Sequence, residues 1–359
     1  MFDYIAKRRQ PSSVLVAAIV IAIGIAGVVM VAFMVRTVAP SRHQEERAWG
    51  RHPRVAAPLP ELSPKLEAQV TFEPKRVDVK FGWRPPCRLP ALQDKDKNGQ
   101  RMRASFDLVL EPVLDRLTLR MQHIQVVMVN GEPADAPALR DQLASVNALA
   151  EAVAPTILVS MEGEYLGVVD LERNLDVVEK LSTLGGTGMD MARKLMRGPQ
   201  MRAMLEEAAG AYWNAWTGAW LGLQLAPGEH LERTLEIELQ GGATMKVPVA
   251  VSHRGTIAGT GGLVLLESVQ VLEGPEAARL MLQAIRSMAA EAGGPPPPDS
   301  ATKQFRREAT VRVALDPVTS RVHRARTETT IEVAGRRDTT VEDLAFDWAH
   351  AEGCGTKAL

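Results

Sequence analysis

The chain has 359 residues, of which 46% are hydrophobic and 24% are charged, and its formal net charge is −1. This composition is typical of a globular protein that can bury a large core, and it argues against a disordered chain. Because the charge is nearly balanced and no long basic run occurs, it also argues against nucleic acid as a partner.

An uncharged apolar run extends from 14 to 35. As a helix rising 1.5 Å per residue it would measure about 33 Å, enough to cross the hydrocarbon core of a bilayer. A cleaved signal peptide is the rival interpretation, but its apolar region is usually only about 7–15 residues long. We therefore predict a retained membrane anchor at 13–36, preceded by a short cytoplasmic tail at 1–12.

The basic cluster at 7–9 favours a cytoplasmic N-terminus, although arginines at 36–54 lie on the other side of the anchor. We predict a single-pass protein of a bacterial inner membrane with its C-terminal domain in the periplasm. Within the anchor, Ala18, Ala22 and Ala26 are spaced by four. This spacing lets two helices approach closely and suggests a homodimer.

The segment 37–70 is rich in proline and charge and is interpreted as a tether. An extracytoplasmic domain is predicted from 71 to 354, with a proline-rich spacer at 294–302 and a tail at 355–359. Alternating apolar residues predict strands at 101–111 and 116–128, with a β-bulge near His123.

Further along, the pattern predicts a helix around 139–153, a hairpin at 156–171, a short helix at 171–184 and a long helix at 199–225. A strand pair across Gly241–Gly242, another strand, a helix at 275–292 and two or three final strands follow. The fold class is therefore α+β, with a curved antiparallel sheet of about nine or ten strands, interspersed helices and one preceding transmembrane helix.

No motif of a known catalytic centre occurs, and we predict neither a cofactor nor a metal. The glycine cluster at 184–194 lacks the Gly-Lys-Ser/Thr motif of a phosphate-binding loop and is interpreted as a turn between helices. The cluster at 254–262 leads into a strand and is interpreted as a hairpin connection. If 343–350 were helical, Asp343, Asp347 and His350 would share one face and could bind a metal, but an exposed polar face explains them equally well. An enzyme that uses these three residues is the third-ranked hypothesis.

The most distinctive segment is the long helix, whose apolar stripe carries half of the tryptophans of the chain. Three interpretations stay open: a core helix, the lining of an apolar pocket or partner-binding face, and a membrane-facing helix. The candidate ligand-binding or partner-binding residues are Met201, Met204, Tyr212, Trp213, Trp216 and Trp220.

Cys87 and Cys354 are the two cysteines, and they bracket almost the whole predicted domain. Cys87 has no companion cysteine or histidine at metal-ligand spacing and no recognisable general base, which argues against a nucleophile or a metal ligand. If the domain lies outside the cytoplasm, a disulfide between them is the natural interpretation.

The order of anchor, tether, antiparallel strands and apolar helix resembles that of bacterial extracytoplasmic lipid-carrier proteins, such as the lipoprotein-localisation carriers. In that group an open curved sheet wraps around helices and encloses an apolar cavity, so the resemblance implies this architecture for about 71–350. It is a resemblance of architecture alone, and no functional residue is carried over.

We therefore expect a membrane-anchored envelope protein whose non-catalytic domain binds an apolar ligand, such as a lipid or acyl chain, or an envelope protein. The alternative is a structural or assembly subunit of a membrane complex without a small-molecule ligand.

Overall fold

A computed structural model describes most of the predicted extracytoplasmic domain. The described residues are 76–137, 154–174, 199–239, 243–291, 296–302 and 304–355, together with positions 66, 139–140, 143, 147, 150–151 and 176. No helix within this part of the chain is long and apolar enough to cross a membrane. The predicted anchor at 14–35 and its alanines lie outside the described residues.

The fold is dominated by one curved antiparallel sheet of twelve strands, and two further short strands pair with each other. The strands are β1 (Val77–Asp78), β2 (Cys87–Lys97), β3 (Gln100–Val113), β4 (Arg116–Val129), β5 (Glu132–Pro133), β6 (Thr156–Ser160), β7 (Tyr165–Val169), β8 (Gln224–Leu225), β9 (His230–Leu239), β10 (Ala243–Thr256), β11 (Val264–Glu273), β12 (Arg306–Leu315), β13 (Val322–Val333) and β14 (Arg336–Phe346).

The order across the sheet is β7-β6-β4-β3-β2-β14-β13-β12-β11-β10-β9, with β5 attached to β4. Most neighbours in this order are consecutive in the chain and are joined by short connections. The main exception is the pairing of β14 with β2, which brings the last strand against the first long one. Separate N-terminal and C-terminal meanders thereby become one continuous sheet.

The prediction of an antiparallel, sheet-rich fold is confirmed, but the sheet has more strands than the nine or ten expected. The register of β9 against β10 follows the predicted apolar pairs, including Ile237 opposite Met245. A register shift between β3 and β4 confirms the predicted bulge, and His123 there has a φ of 54°. A β-bulge of this kind bends a strand and increases its local twist.

Two long helices have described bounds, α1 (Pro199–Trp216) and α2 (Pro275–Glu291). The predicted helix at 199–225 is wrong at its C-terminal end, because α1 ends at Trp216. Thr217 leaves the helical region, a single 3-10 turn covers Gly218–Trp220, and the chain re-enters a strand at β8. Gly222 has a φ of 73°, a conformation that glycine adopts without strain.

The core lies between α1 and the face of the sheet that α1 covers, here called the inner face. Contacts of α1 with β7 and β13 place the helix across the sheet. Leucines of β3 and β4 supply much of the apolar surface beneath it, and Leu108, Leu110 and Leu117 are fully buried. A smaller apolar cluster next to the turn between β10 and β11 includes Leu66, which belongs to the predicted tether.

The connections of the sheet gather at two ends. The disulfide end is the end at which β2 begins with Cys87, and the turns at 113–116, 161–164, 257–263 and 316–321 lie there. The opposite end carries the turns Asn98–Gly99, Asn130–Gly131 and Ala334–Gly335. Both central residues of each of these three turns have positive φ, as type I′ hairpins require.

Candidate functional site

The candidate site is built around α1, which sits close to β7. A Cβ at Gly210 would contact the ring of Tyr165, so this glycine permits the close approach of helix and strand. The Tyr165 hydroxyl also donates a hydrogen bond to the Glu206 carbonyl oxygen of α1, at 2.6 Å. These two contacts fix the rotation of the helix and therefore which of its side chains face the sheet.

The structure brings Tyr212, Trp213 and Trp216 together on α1, facing the sheet. Trp220 lies on the following 3-10 turn rather than on the helix, yet it joins the same core. Trp213, Trp216 and Trp220 are each at most 1% exposed. The side chains of Met201 and Met204, the two other candidates, lie outside the described part of the chain.

Trp83, which the sequence analysis did not single out, is the centre of this aromatic cluster. Its ring centroid lies 5.4 Å from that of Trp216 and 6.3 Å from that of Trp213. It also packs edge-on against Phe346 at 6.4 Å and Trp348 at 5.3 Å. The signal available in the sequence was the FGW segment before β2, but only the fold shows that it meets α1.

Three tryptophans of this region have satisfied indole N–H groups, and Trp348 Nε1 is one of them, donating to the Val322 carbonyl oxygen at 2.7 Å. Trp213 Nε1 donates to the Gly163 carbonyl oxygen at 2.8 Å, and Trp220 Nε1 donates to the Ala215 carbonyl oxygen at 3.0 Å. Buried indoles usually find such a partner. The side chains of Trp213 and Trp220 therefore act as fixed parts of the core.

Four other polar atoms of the same region are buried without a hydrogen-bond partner among the described residues. Leaving such a group unpaired costs about 1–3 kcal/mol, so several together in one place call for an explanation. The four orphan atoms are Trp83 Nε1, Trp216 Nε1, Tyr212 Oη and Thr217 Oγ1. All four can donate a hydrogen bond.

The Tyr212 hydroxyl is held in its neutral form. Burial first, and the negative charge of Glu342 second, raise the pKa of Tyr212 far above its ordinary value. The hydroxyl is therefore a hydrogen-bond donor and not a base or nucleophile at neutral pH. Glu342 itself is ion-paired with Lys95 on the neighbouring strand.

Asp343, Asp347 and His350 do not share a helical face. Asp343 lies within β14, in agreement with the predicted final strands, whereas Asp347 precedes a 3-10 turn that ends at His350. Asp347 Oδ2 and His350 Nδ1 are 2.8 Å apart and exposed. Among the described residues no group of three or more histidine, cysteine, aspartate or glutamate side chains could hold a metal.

Cys87 and Cys354, for which the sequence predicted a disulfide, are bonded to each other across a separation of 267 residues. The bond ties the start of β2 to the C-terminal segment, which also pairs with it through Arg88 and Glu352. A shallow depression of about 230 Å³ lies beside it, lined by Pro86, Val109 and Gly353 among others. Its openness to solvent makes it a poor site for an enclosed ligand.

No protein-family model matches the sequence, and no curated protein matches it at a significant level. Function is therefore inferred from the residues themselves.

Proposed function

We propose that the protein is a membrane-anchored, non-catalytic binding module of the bacterial envelope. Its domain takes an amphipathic ligand, with an apolar chain such as an acyl group and a polar end that accepts hydrogen bonds. The four orphan atoms around α1 carry the proposal, because a ligand oxygen would satisfy donors that are otherwise buried at a cost.

The chemistry of the four orphan atoms favours a neutral acceptor, such as the carbonyl oxygen of an ester or amide. Tyr212, Trp83, Trp216 and Thr217 offer N–H and O–H groups and no charge. A charged carboxylate or phosphate in this position would be buried without a counter-ion, which is costly. The surrounding aromatic rings supply the apolar surface for the chain of the ligand.

The experiment is native mass spectrometry of the purified full-length chain, followed by extraction and identification of bound lipid. The test variant is Tyr212→Phe/Thr217→Val, which removes two donors with little change of volume. The matched control is Tyr165→Phe, which removes a hydroxyl with a known partner on α1. We expect wild type and control to retain a defined lipid that the double variant loses.

Equal amounts of the same lipid in wild type and double variant would contradict the proposal. The lipid would then be bound around the anchor and not at the four orphan atoms. Protein without any defined lipid would contradict it as well.

A structural or assembly subunit is the second candidate function. It is favoured by the complete burial and satisfied N–H groups of Trp213 and Trp220, which make that part of α1 an ordinary packed core. Purification from the native host separates the two functions. Stoichiometric envelope proteins without bound lipid would identify the subunit, whereas bound lipid without such partners supports the binding module.

A further inference from the structure

Within the part of the chain that the structure describes, the large exposed apolar side chains lie at the disulfide end of the sheet. Among the described residues six large apolar side chains are exposed, and every one lies in a turn at this end or in the first two residues of a strand that starts there. They are Val113, Leu114, Met161, Leu166, Leu231 and Val318. Leu114 is 99% exposed and Val318 is 87% exposed, so neither contributes to the core.

Three of the turns that carry these residues lie close together. The turn at 113–116 is next to that at 161–164, because Arg116 pairs with Ser160. A Cβ at Gly163 would contact the ring of Phe81, and a Cβ at the next residue, Gly82, would contact the Thr319 carbonyl. The turns at 161–164 and 316–321 therefore flank the same short segment. We call these three turns the apolar rim.

Leu114 occupies a position that a glycine would normally fill. Its φ is 58°, a left-handed conformation that is strained for a bulky side chain. At the opposite end the first position of the corresponding turns holds a smaller residue, Asn98, Asn130 or Ala334. A fully exposed leucine in a strained turn has no value for folding, and such strain is characteristic of functional positions.

The chain also enters the domain at the disulfide end. Near the start of the described domain, β1 pairs with β8, and Lys80 N donates to Ser320 Oγ in one of the rim turns at 2.9 Å. Leu66 packs against the apolar cluster that includes Ile257 and Leu263, in another turn at this end. The described residues nearest in sequence to the predicted anchor therefore lie on the same side of the domain as the apolar rim.

We propose that the apolar rim rests on the lipid bilayer, with Leu114, Met161 and Val318 dipping into its interface. Burying an exposed leucine or valine in an apolar phase is favourable by about 1.5–3 kcal/mol. The rim turns carry two arginines, Arg116 and Arg321, against four acidic residues, Asp115, Glu162, Glu164 and Asp316, so no basic patch accompanies the tips. The contact is apolar rather than electrostatic, and it is independent of the ligand site around α1.

The experiment measures quenching of tryptophan fluorescence by brominated lipid. The full-length chain is reconstituted in phosphatidylcholine vesicles with and without bromine on the acyl chains, as wild type and as Leu114→Trp. The matched control is Asn98→Trp, which places the same reporter in a turn at the opposite end. We expect added quenching and a blue shift of emission for Leu114→Trp, and neither for the control.

Val318→Trp provides a second reporter on the apolar rim and should behave like Leu114→Trp. Both positions are exposed, so the substitutions leave the core unchanged, which circular dichroism verifies. Raising the salt concentration should leave the quenching unchanged, because no charge attraction is involved. The proposal would be overturned if Leu114→Trp gave equal fluorescence with and without brominated lipid. Equal quenching of Leu114→Trp and Asn98→Trp would overturn it as well. A blue shift that depends on protein concentration without vesicles would assign the apolar rim to self-association instead.

Discussion

Arg324 and Asp343 form a two-point ion pair between neighbouring strands on the outer face of the sheet. Arg324 Nε lies 2.7 Å from Asp343 Oδ1, and Nη2 lies 2.6 Å from Oδ2. Both side chains are at most 10% exposed. Asp94 stands directly opposite Asp343 on β2 and is paired with Arg103. Each carboxylate therefore has its own arginine, which offsets the repulsion between like charges on adjacent strands.

Breaking this pair should destabilise the fold strongly. Asp343→Asn is expected to lower the free energy of unfolding by about 3–5 kcal/mol, because it removes the buried negative charge that Arg324 contacts at two points. Urea denaturation followed by circular dichroism measures this change. The control is Asp347→Asn, which removes an exposed partner of His350 and should cost about 0–1 kcal/mol. Equal effects of both variants would contradict a structural role specific to Asp343.

Removing the orphan hydroxyl of Tyr212 should not destabilise the fold, unlike removing the charge of Asp343. In lipid-free protein, Tyr212→Phe should leave the free energy of unfolding unchanged or raise it by about 1 kcal/mol, because a buried group without a partner is removed. Tyr165→Phe should lower it by about 1 kcal/mol, because it breaks a hydrogen bond to Glu206. Thermal unfolding after lipid extraction measures both. A clear loss for Tyr212→Phe would show that the hydroxyl already has a partner in the lipid-free protein.

The alternating strands could be predicted from the sequence because one face of each is buried and the other is polar. The β9–β10 register follows from this alternation, and the bulge at His123 appears as a change of phase. Cys87 and Cys354 could be paired because they are the two cysteines of the chain. In each case the information is local or the alternatives are few.

The features of the fold and of the site that could not be predicted depend on contacts between distant parts of the chain. The β2 segment was not predicted as a strand, because Pro90 and the charges of 94–97 resemble a loop; β14 and β3 hold it in the sheet on both sides. The spacing of Asp343 from Asp347 and His350 is compatible with a metal ligand on a helix, whereas in the fold Asp343 is ion-paired with Arg324. The aromatic cluster needs Trp83 to meet Trp216, a contact between residues far apart in sequence. Local sequence patterns do not predict such long-range contacts.

Stability should fall as the pH drops below 6.5, because burial lowers the pKa of His253 below that ordinary value. The unfolded chain then takes up a proton that the folded chain does not, so acidification favours unfolding until the pH reaches the folded pKa. Burial lowers the pKa of His323 as well. His253→Asn, which keeps an acceptor for the Gly255 N–H, should reduce the slope of stability between pH 6.5 and pH 5.

The measurement for His253 is urea denaturation at a series of pH values. The control is the same pair of proteins above about pH 8, where the His253 imidazole is neutral in both the folded and the unfolded chain, so His253→Asn should leave the slope there unchanged. An identical slope in wild type and His253→Asn between pH 6.5 and pH 5 would contradict the prediction.

Loss of the disulfide should destabilise the domain. Cys87 and Cys354 are 267 residues apart in the chain, and in the chain-entropy account closing so long a loop contributes about 5 kcal/mol. The variant Cys87→Ser/Cys354→Ser should therefore unfold at a much lower urea concentration than wild type. A reductant should shift wild type to the level of the variant and leave the variant unchanged. Insensitivity of wild type to reductant under unfolding conditions would contradict this prediction.

The same cysteines test the predicted location of the domain. Disulfides persist in oxidising compartments such as the periplasm and are rare in the cytosol. Both side chains are buried, at 2% and 5% exposure, so the bond is protected from solvent reductants in the folded protein. Protein from its native host, denatured and treated with a thiol-reactive maleimide, should therefore remain unlabelled until it is reduced. Labelling before reduction would contradict the periplasmic location and with it the predicted orientation of the anchor.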